Sequence, residues 1–314
     1  MFAIYVIAAL FGALAVLNLV VGRLPRRPEA GGGIIETANG PIHYLETVGE
    51  GTPIVFIHGM PGNARDFDRV RAELPGRHTI AFDRPGYAWS EGAPQDFGEQ
   101  LDAIVEAAGT LGVERAVVVG HSFGGLATLG LAIRKPDFVE SMLLLAPAAG
   151  GTRILESREK QARLIRSIER PGLCQVLDLI FLRILRKFAA KQGAAFAYGD
   201  DPELAPERRI AVSVLARHSS VRALANDRLL FNDTERMITR NLKRISAPSL
   251  ILHGRQDQTV GLKNARRLAE GLTHATITEI EGDHQLPSKH PNQVVDALGR
   301  LLARTSDSAA YAPQ

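Results

Sequence analysis

The chain has 314 residues, 45% hydrophobic and 23% charged, with 30 glycines and 17 prolines, which is ordinary globular usage and excludes collagen-like, disordered and disulfide-scaffold classes. Thirty-seven Lys/Arg against thirty-four Asp/Glu leave a net charge of +3; with no recurring basic run or aromatic-interleaved patch, nucleic acid is not an expected partner. The single cysteine, Cys174, excludes an internal disulfide and a multi-cysteine zinc or iron–sulfur centre, and fits a reducing compartment.

Phe2 to Val21 is an apolar run with Asn18 as its only strongly polar member. Twenty helical residues rise about 30 Å, the thickness of the hydrocarbon core. No Lys or Arg precedes the run and it exceeds the apolar core of a signal peptide, so residues 1–22 read as an uncleaved transmembrane anchor. Arg23, Arg26 and Arg27 follow it, and by the positive-inside tendency they place the downstream chain in the cytoplasm. The expectation is a single-pass membrane protein, with residues 23–33, rich in Gly, Pro and Arg, as a flexible linker.

Beyond the linker, Ile34–Thr37 and Ile42–Val48 are short β-prone runs joined by a turn at Asn39-Gly40-Pro41. Pro53–His58, an apolar run bounded by glycine, suits a strand buried on both faces. A helical pattern covers Ala64–Leu74, a strand His78–Phe82 and a helix Glu99–Leu111. Arg115–Val119 is a further buried strand, followed by a helix over Phe123–Arg134 and a strand over Val139–Leu145. This alternation means βαβ units, a parallel sheet and helices on both faces. It stops at Ala146 and resumes at Ser249–Leu252, then continues through a helix at Leu262–Gly271, a strand at Ala275–Ile280 and a helix at Asn292–Ala303.

The interruption, residues 149–245, lacks strand patterning and reads as a helical lid between two parts of a core, 34–148 and 246–304. Within it Leu173, Val176, Leu177, Ile180, Phe181, Ile184, Leu185 and Phe188 follow helical spacing. Residues 151–245 also hold nineteen Lys/Arg against eleven Asp/Glu. The stripe either packs the lid onto the core or lines a pocket for an apolar acyl chain, with the basic excess facing anionic headgroups. Residues 305–314 read as a polar, disordered tail.

The chemistry concentrates at Gly120-His121-Ser122-Phe123-Gly124, between a buried strand and a helix. In that context G-x-S-x-G lifts a serine hydroxyl clear of the sheet on a sharp turn, at a helix N-terminus that favours developing negative charge. A serine hydroxyl is a poor nucleophile until a base takes its proton, and that base must be held by an acid. Asp257, in a Gly-x-x-Asp turn after Ser249–Leu252, and His284, just past Ala275–Ile280, occur in the required order. His290, followed by Pro291, reads as a capping or surface residue; His253 lies inside a strand end, and Asp283 is adjacent to the base it would have to face. An oxyanion needs two preorganised N–H donors. Phe123, directly after Ser122, supplies one and Met60, in the loop His58-Gly59-Met60-Pro61-Gly62, the other, while His58 reads as a packing residue.

With HGMPG at 58–62, DRPGYAWS at 83–90, GHSFGG at 120–125, the Gly-x-x-Asp turn at 254–257 and GDH at 282–284, the chain resembles the α/β-hydrolase fold family, in its lid-bearing serine branch. The matching pieces span residues 34–304. The resemblance implies an α/β fold with an eight-stranded, mostly parallel sheet flanked by helices and a helical lid after strand six. It implies Ser122 as nucleophile, His284 as base, Asp257 as orienter, Met60 and Phe123 as oxyanion hole, and no cofactor or metal. Family members with haloalkane dehalogenase or epoxide hydrolase activity carry aspartate at the nucleophile position, and serine here argues against both.

The expected function is a membrane-anchored serine hydrolase cleaving a carboxylic ester or related acyl bond through an acyl-enzyme. Its partner would be a small-molecule acyl substrate, with a lipidic one as an option. Two alternatives stay open: the same three residues acting as a carbon–carbon bond hydrolase or acyltransferase, and a non-catalytic hydrolase-like binding protein.

Overall fold

The computed structural model describes residues 2–23, 29–90, 92, 96–170 and 172–310. The chain opens with helix α1 (Phe2–Val21), then strands β1 (Gly33–Thr37), β2 (Gly40–Thr47) and β3 (Glu50–Ile57). A 3-10 turn (Ala64–Phe67) leads into α2 (Asp68–Ala72), followed by β4 (Arg77–Phe82), α3 (Phe97–Thr110), β5 (Ala116–His121), α4 (Phe123–Arg134) and β6 (Val139–Leu145). Five helices come next: α5 (Glu156–Ile168), α6 (Leu173–Ile180), α7 (Leu182–Tyr198), α8 (Ala205–Leu215) and α9 (His218–Asn241). The chain then returns to β7 (Ser249–Gly254), α10 (Leu262–Gly271), β8 (Ala275–Ile280), α11 (Leu286–Lys289) and α12 (Pro291–Ala310). Residues 24–28 of the expected linker, with Arg26 and Arg27, and residues 311–314 of the expected tail lie outside the described residues.

The eight strands form one sheet in the order β1-β2-β4-β3-β5-β6-β7-β8. The β1–β2 hairpin and the β2–β4 pair are antiparallel, and every other neighbouring pair is parallel. This is the α/β-hydrolase fold expected from the motifs. Val117, Val118 and Val119 on β5 and Ile54 to Ile57 on β3 have no exposed surface, as expected of central strands covered on both faces. Two apolar clusters, one on each face, complete the core. From β3 the chain steps one way to β4 and later the other way to β5. The carboxyl ends of β3 and β5 therefore flank the point where strand order reverses, the place where open α/β sheets hold ligands.

Three local expectations change. The helix expected over Ala64–Leu74 is a 3-10 turn followed by the short α2, because Asn63 and Asp66 close a capping box that tightens the first turn. The apolar stripe from Leu173 to Phe188 is two helices that break at Phe181. Leu173, Val176, Leu185 and Phe188 are exposed, so these members neither pack onto the core nor line the cavity described below.

The third change concerns the N-terminus. The run at Phe2–Val21 is helical, but among the described residues no helix is long and apolar enough to cross a membrane. That overturns the transmembrane anchor, the single-pass membrane localisation and the cytoplasmic orientation derived from it. Instead α1 packs against α6 and α7. Asn18, the polar residue of the run, is fully buried there: its amide donates to the carbonyl of Asp178, and its Oδ1 accepts from the Ile184 amide at 3.2 Å. Lys187 adds a bond to the Val21 carbonyl at 2.8 Å. A buried amide demands hydrogen-bond partners, and here protein backbone supplies them.

Candidate active site

Ser122 follows β5 and is the residue before α4, with φ 54° and ψ −116°. A positive φ is costly for a side chain other than glycine and persists only where the surroundings impose it. Two contacts impose it here. A Cβ at Gly120 would lie 2.3 Å from the Gly124 carbonyl oxygen, and one at Gly124 would lie 2.0 Å from the Ile57 carbonyl oxygen. Both positions must be glycine for α4 to start this close to β3 and β5. The sharp turn that results puts Ser122 on the wall of a cavity of about 540 Å³, shared with His284, Met60, Asp66, Arg158 and Arg228.

His284 and Asp257 meet although 27 residues separate them: Nδ1 of the imidazole lies 2.7 Å from Oδ2 of the carboxylate. Their loops are held side by side at the ends of β7 and β8. A Cβ at Gly254 would be 2.3 Å from the Gly282 carbonyl oxygen, and Gln256 donates its amide to that same oxygen at 2.9 Å. Oδ1 of Asp257 accepts the amides of Thr259 (2.7 Å) and Val260 (2.9 Å). Burial alone would raise the Asp257 pKa, but the hydrogen bond and charge of His284, with the two amides, hold it below the usual carboxylate value. An ionised Asp257 fixes the proton of a neutral His284 on Nδ1, which leaves Nε2 as the basic nitrogen.

The weighed rivals are engaged elsewhere. Asp283 pairs with Lys289 at 2.5 Å. His253 is buried and donates Nε2–H to the Val260 carbonyl at 2.9 Å, bracing the loop that carries Asp257. The imidazole of His290 lies where a Cβ on Gly282 would fall.

The loop after β3 passes beside the serine: a Cβ at Gly59 would be 3.1 Å from Cβ of Ser122. Among the described residues the Met60 amide has no hydrogen-bond partner. Phe123 opens α4, so its amide has no carbonyl one turn earlier to bond. Both N–H groups are therefore available beside Ser122.

Two supporting residues, His121 and Arg84, carry no role in the sequence reading, and a third, His58, reads there as packing. His121 donates Nε2–H to the His284 carbonyl at 2.8 Å, and the two rings lie 4.9 Å apart. Burial, then the neighbouring His284, lowers the His121 pKa to about 3, so it stays a neutral prop. His58 accepts the Arg84 amide at Nε2 (2.9 Å) and donates Nδ1–H to its neighbour Gly59 (2.9 Å); burial and the Arg84 charge hold its pKa well below the usual value. Arg84 is 1% exposed. It bonds the Gly59 carbonyl at 3.1 Å and stacks 4.1 Å from the Phe123 ring centroid. Its charge is met by Asp227 of α9 at 2.5 Å, which also accepts Tyr87 Oη at 2.7 Å. The DRPGYAWS motif named Arg84 without its partner, which lies 143 residues away.

Metal-ligating atoms gather at one place among the described residues, Glu169, Cys174 and His218 in the inserted helices. The Glu169 carboxylate there is already taken by Arg186, at 3.0 Å to each oxygen, and by His218.

The sequence profile described as "Alpha/beta hydrolase family" matches residues 54–297. A pimeloyl-[acyl-carrier protein] methyl ester esterase of Chromobacterium violaceum is 29% identical over 276 residues, 82% of this chain and 97% of that protein. A 2-hydroxymuconate semialdehyde hydrolase of a Pseudomonas species is 28% identical over 293 residues, 90% of this chain and 97% of that one. Among solved structures, a thermophilic esterase of Thermogutta terrifontis superposes with a TM-score of 0.71 at 19% identity, covering 87% of this chain and 98% of its own. With a matched region spanning most of its length and the sheet order described above, the chain belongs to the alpha/beta hydrolase family.

Proposed function

We propose that the protein is a serine hydrolase that cleaves a carboxylic ester or related acyl bond through an acyl-enzyme. Ser122 Oγ attacks the carbonyl carbon while His284 Nε2 takes its proton. Asp257 keeps the imidazole in the required tautomer and balances the imidazolium. The Met60 and Phe123 amides receive the oxyanion. Collapse of the tetrahedral intermediate expels the alcohol, which leaves with the proton from His284. Water then attacks the acyl-enzyme, giving its proton to His284, and the acid departs as the serine oxygen recovers that proton.

The observation that carries this reading is a serine held at φ 54° that lines one cavity with an imidazole, whose Nδ1 is tied to a carboxylate at 2.7 Å. The methyl ester esterase at 29% identity supports the ester class. The helices between β6 and β7 act as a lid in this reading, since α5, α7, α8 and α9 all contribute to the cavity.

Similarity to a 2-hydroxymuconate semialdehyde hydrolase favours a second reading, in which the same three residues hydrolyse a carbon–carbon bond. A fluorophosphonate probe and a panel of p-nitrophenyl esters separate the outcomes. Wild type should label and turn over esters, and Ser122→Ala should lose both. Full activity in Ser122→Ala would reject the assignment. Labelling without ester turnover would favour the second reading.

A further inference from the structure

The basic excess of the inserted helices is not spread evenly in its pairing. On α5, Arg163 pairs with Glu159, and on α9, Arg236 pairs with Asp233. Arg158 of α5 and Arg228 of α9 differ: both line the cavity that holds Ser122 and His284, and among the described residues neither side chain has a hydrogen-bond or ion-pair partner. The nearest acids in sequence or in the cavity are committed. Asp227 turns into the core to meet Arg84. Asp66, on the cavity wall, accepts the Asn63 amide at 3.0 Å and Tyr198 Oη at 3.1 Å.

Two guanidinium groups converging on a cavity without a counterion repel each other, and a shared anion offsets that repulsion while filling their donor forks. Arg228, partly buried, already registers the strain: burial lowers its pKa from the usual arginine value and the Arg158 charge lowers it further. Arg158 is exposed, so an incoming ligand can reach the pair from solvent.

We propose that Arg158 and Arg228 form an anion subsite, so that the compound cleaved at Ser122 carries a second, anionic oxygen group besides its scissile acyl bond. This rests on the serine-hydrolase reading and narrows it to acyl substrates bearing a carboxylate or phosphate. The arrangement places the charge-reading residues on the inserted helices and the bond-breaking residues on the sheet.

Matched dicarboxylate esters test it. Across monomethyl and dimethyl esters from succinate to suberate, wild type should prefer the anionic monoester by on the order of ten- to a hundredfold in kcat/KM at its best length, the range of a charge-assisted hydrogen bond. Arg228→Gln and Arg158→Gln should each cut that ratio, chiefly through KM, and the double variant should bring it near one. Arg228→Lys should keep part of it. Arg158 is exposed, so its variant reads the subsite even if Arg228→Gln melts early. Acetate and inorganic phosphate as competitors distinguish a carboxylate pocket from a phosphate one. No preference at any length in wild type, or an unchanged ratio in both single variants, overturns the subsite. If wild type takes no fluorophosphonate label, the hydrolase reading fails instead.

Discussion

The sheet half of the molecule and the five inserted helices are built on different physics. Around β3, β5 and β7 nearly every apolar side chain is buried, and glycines at 120, 124 and 254 let backbones approach within contacts that no Cβ would fit. In the inserted helices, Leu173, Val176, Leu179, Leu185, Phe188 and Phe196 are exposed. Their interior is a small cluster around Ala190, Ala194, Tyr198 and Ala211. Polar ties cross to the sheet half: Asp227 to Arg84, Glu207 to Arg69 at 2.7 Å, and Tyr198 to Asp66. The difference separates the work. A close-packed sheet can hold reacting groups to a few tenths of an ångström, which bond-making demands, whereas a loosely packed cover can vary its side chains and set what is bound.

Changes on the two sides should fail in different ways. The largest effect is expected at the strand ends. Asp257→Asn keeps an oxygen for the Thr259 and Val260 amides but sets an NH2 against Nδ1 of His284, which forces the wrong tautomer. kcat for a p-nitrophenyl ester should fall by about 10³- to 10⁴-fold with little change in the thermal melt; a loss below tenfold would show that Asp257 is not the orienter.

The next tests the seam between the halves. Arg84→Met leaves the buried Asp227 with the neutral donors Tyr87 and Gln100 but no cation, and stability should drop by about 3–5 kcal/mol in urea melts. Adding Asp227→Leu should recover most of that. Because Arg84 also holds the Gly59 carbonyl and stacks on Phe123, the double variant should still show a lowered kcat with KM little altered. Recovery of kcat together with stability would make the pair a purely structural tie.

A third test lies at Asp66, beneath Tyr198 of the inserted helices. Burial raises its carboxyl pKa to about 7. A folded-state pKa above the unfolded one means the native state holds the proton longer, so stability is highest below the unfolded value near 4 and falls as pH rises toward 7. The slope is no steeper than about 1.4 kcal/mol per pH unit. Asp66→Asn should flatten stability across pH 4 to 7, and an unchanged slope would place the titrating group elsewhere.

Much of the candidate site is legible along the chain because its determinants are local. A strand, a glycine-flanked serine and a helix stand together in 20 consecutive letters, and the steric demand on Gly120 and Gly124 is met within that turn and its neighbouring strand. Asp257 and His284 could be picked because each ends a strand in a parallel sheet, where the ends converge. His121 carries no role in the sequence and His58 reads only as packing, because their partners are backbone carbonyls and amides, which carry no side-chain letter.

What only the tertiary structure decided were the pairings across distance. The run at Phe2–Val21 has the letters of a membrane span, yet its outcome turned on Asn18 finding backbone partners at Asp178 and Ile184. The inserted stripe has the spacing of a packed face, yet a break at Phe181 leaves half of it facing solvent. Arg84 and Arg228 look alike as isolated arginines; folding gives one a buried carboxylate and sets the other on the cavity that Ser122 lines, with no ion-pair partner among the described residues. Periodicity and turn chemistry act over a few residues, so they can be read along the chain. Which charge meets which depends on where the chain returns, and only packing sets that.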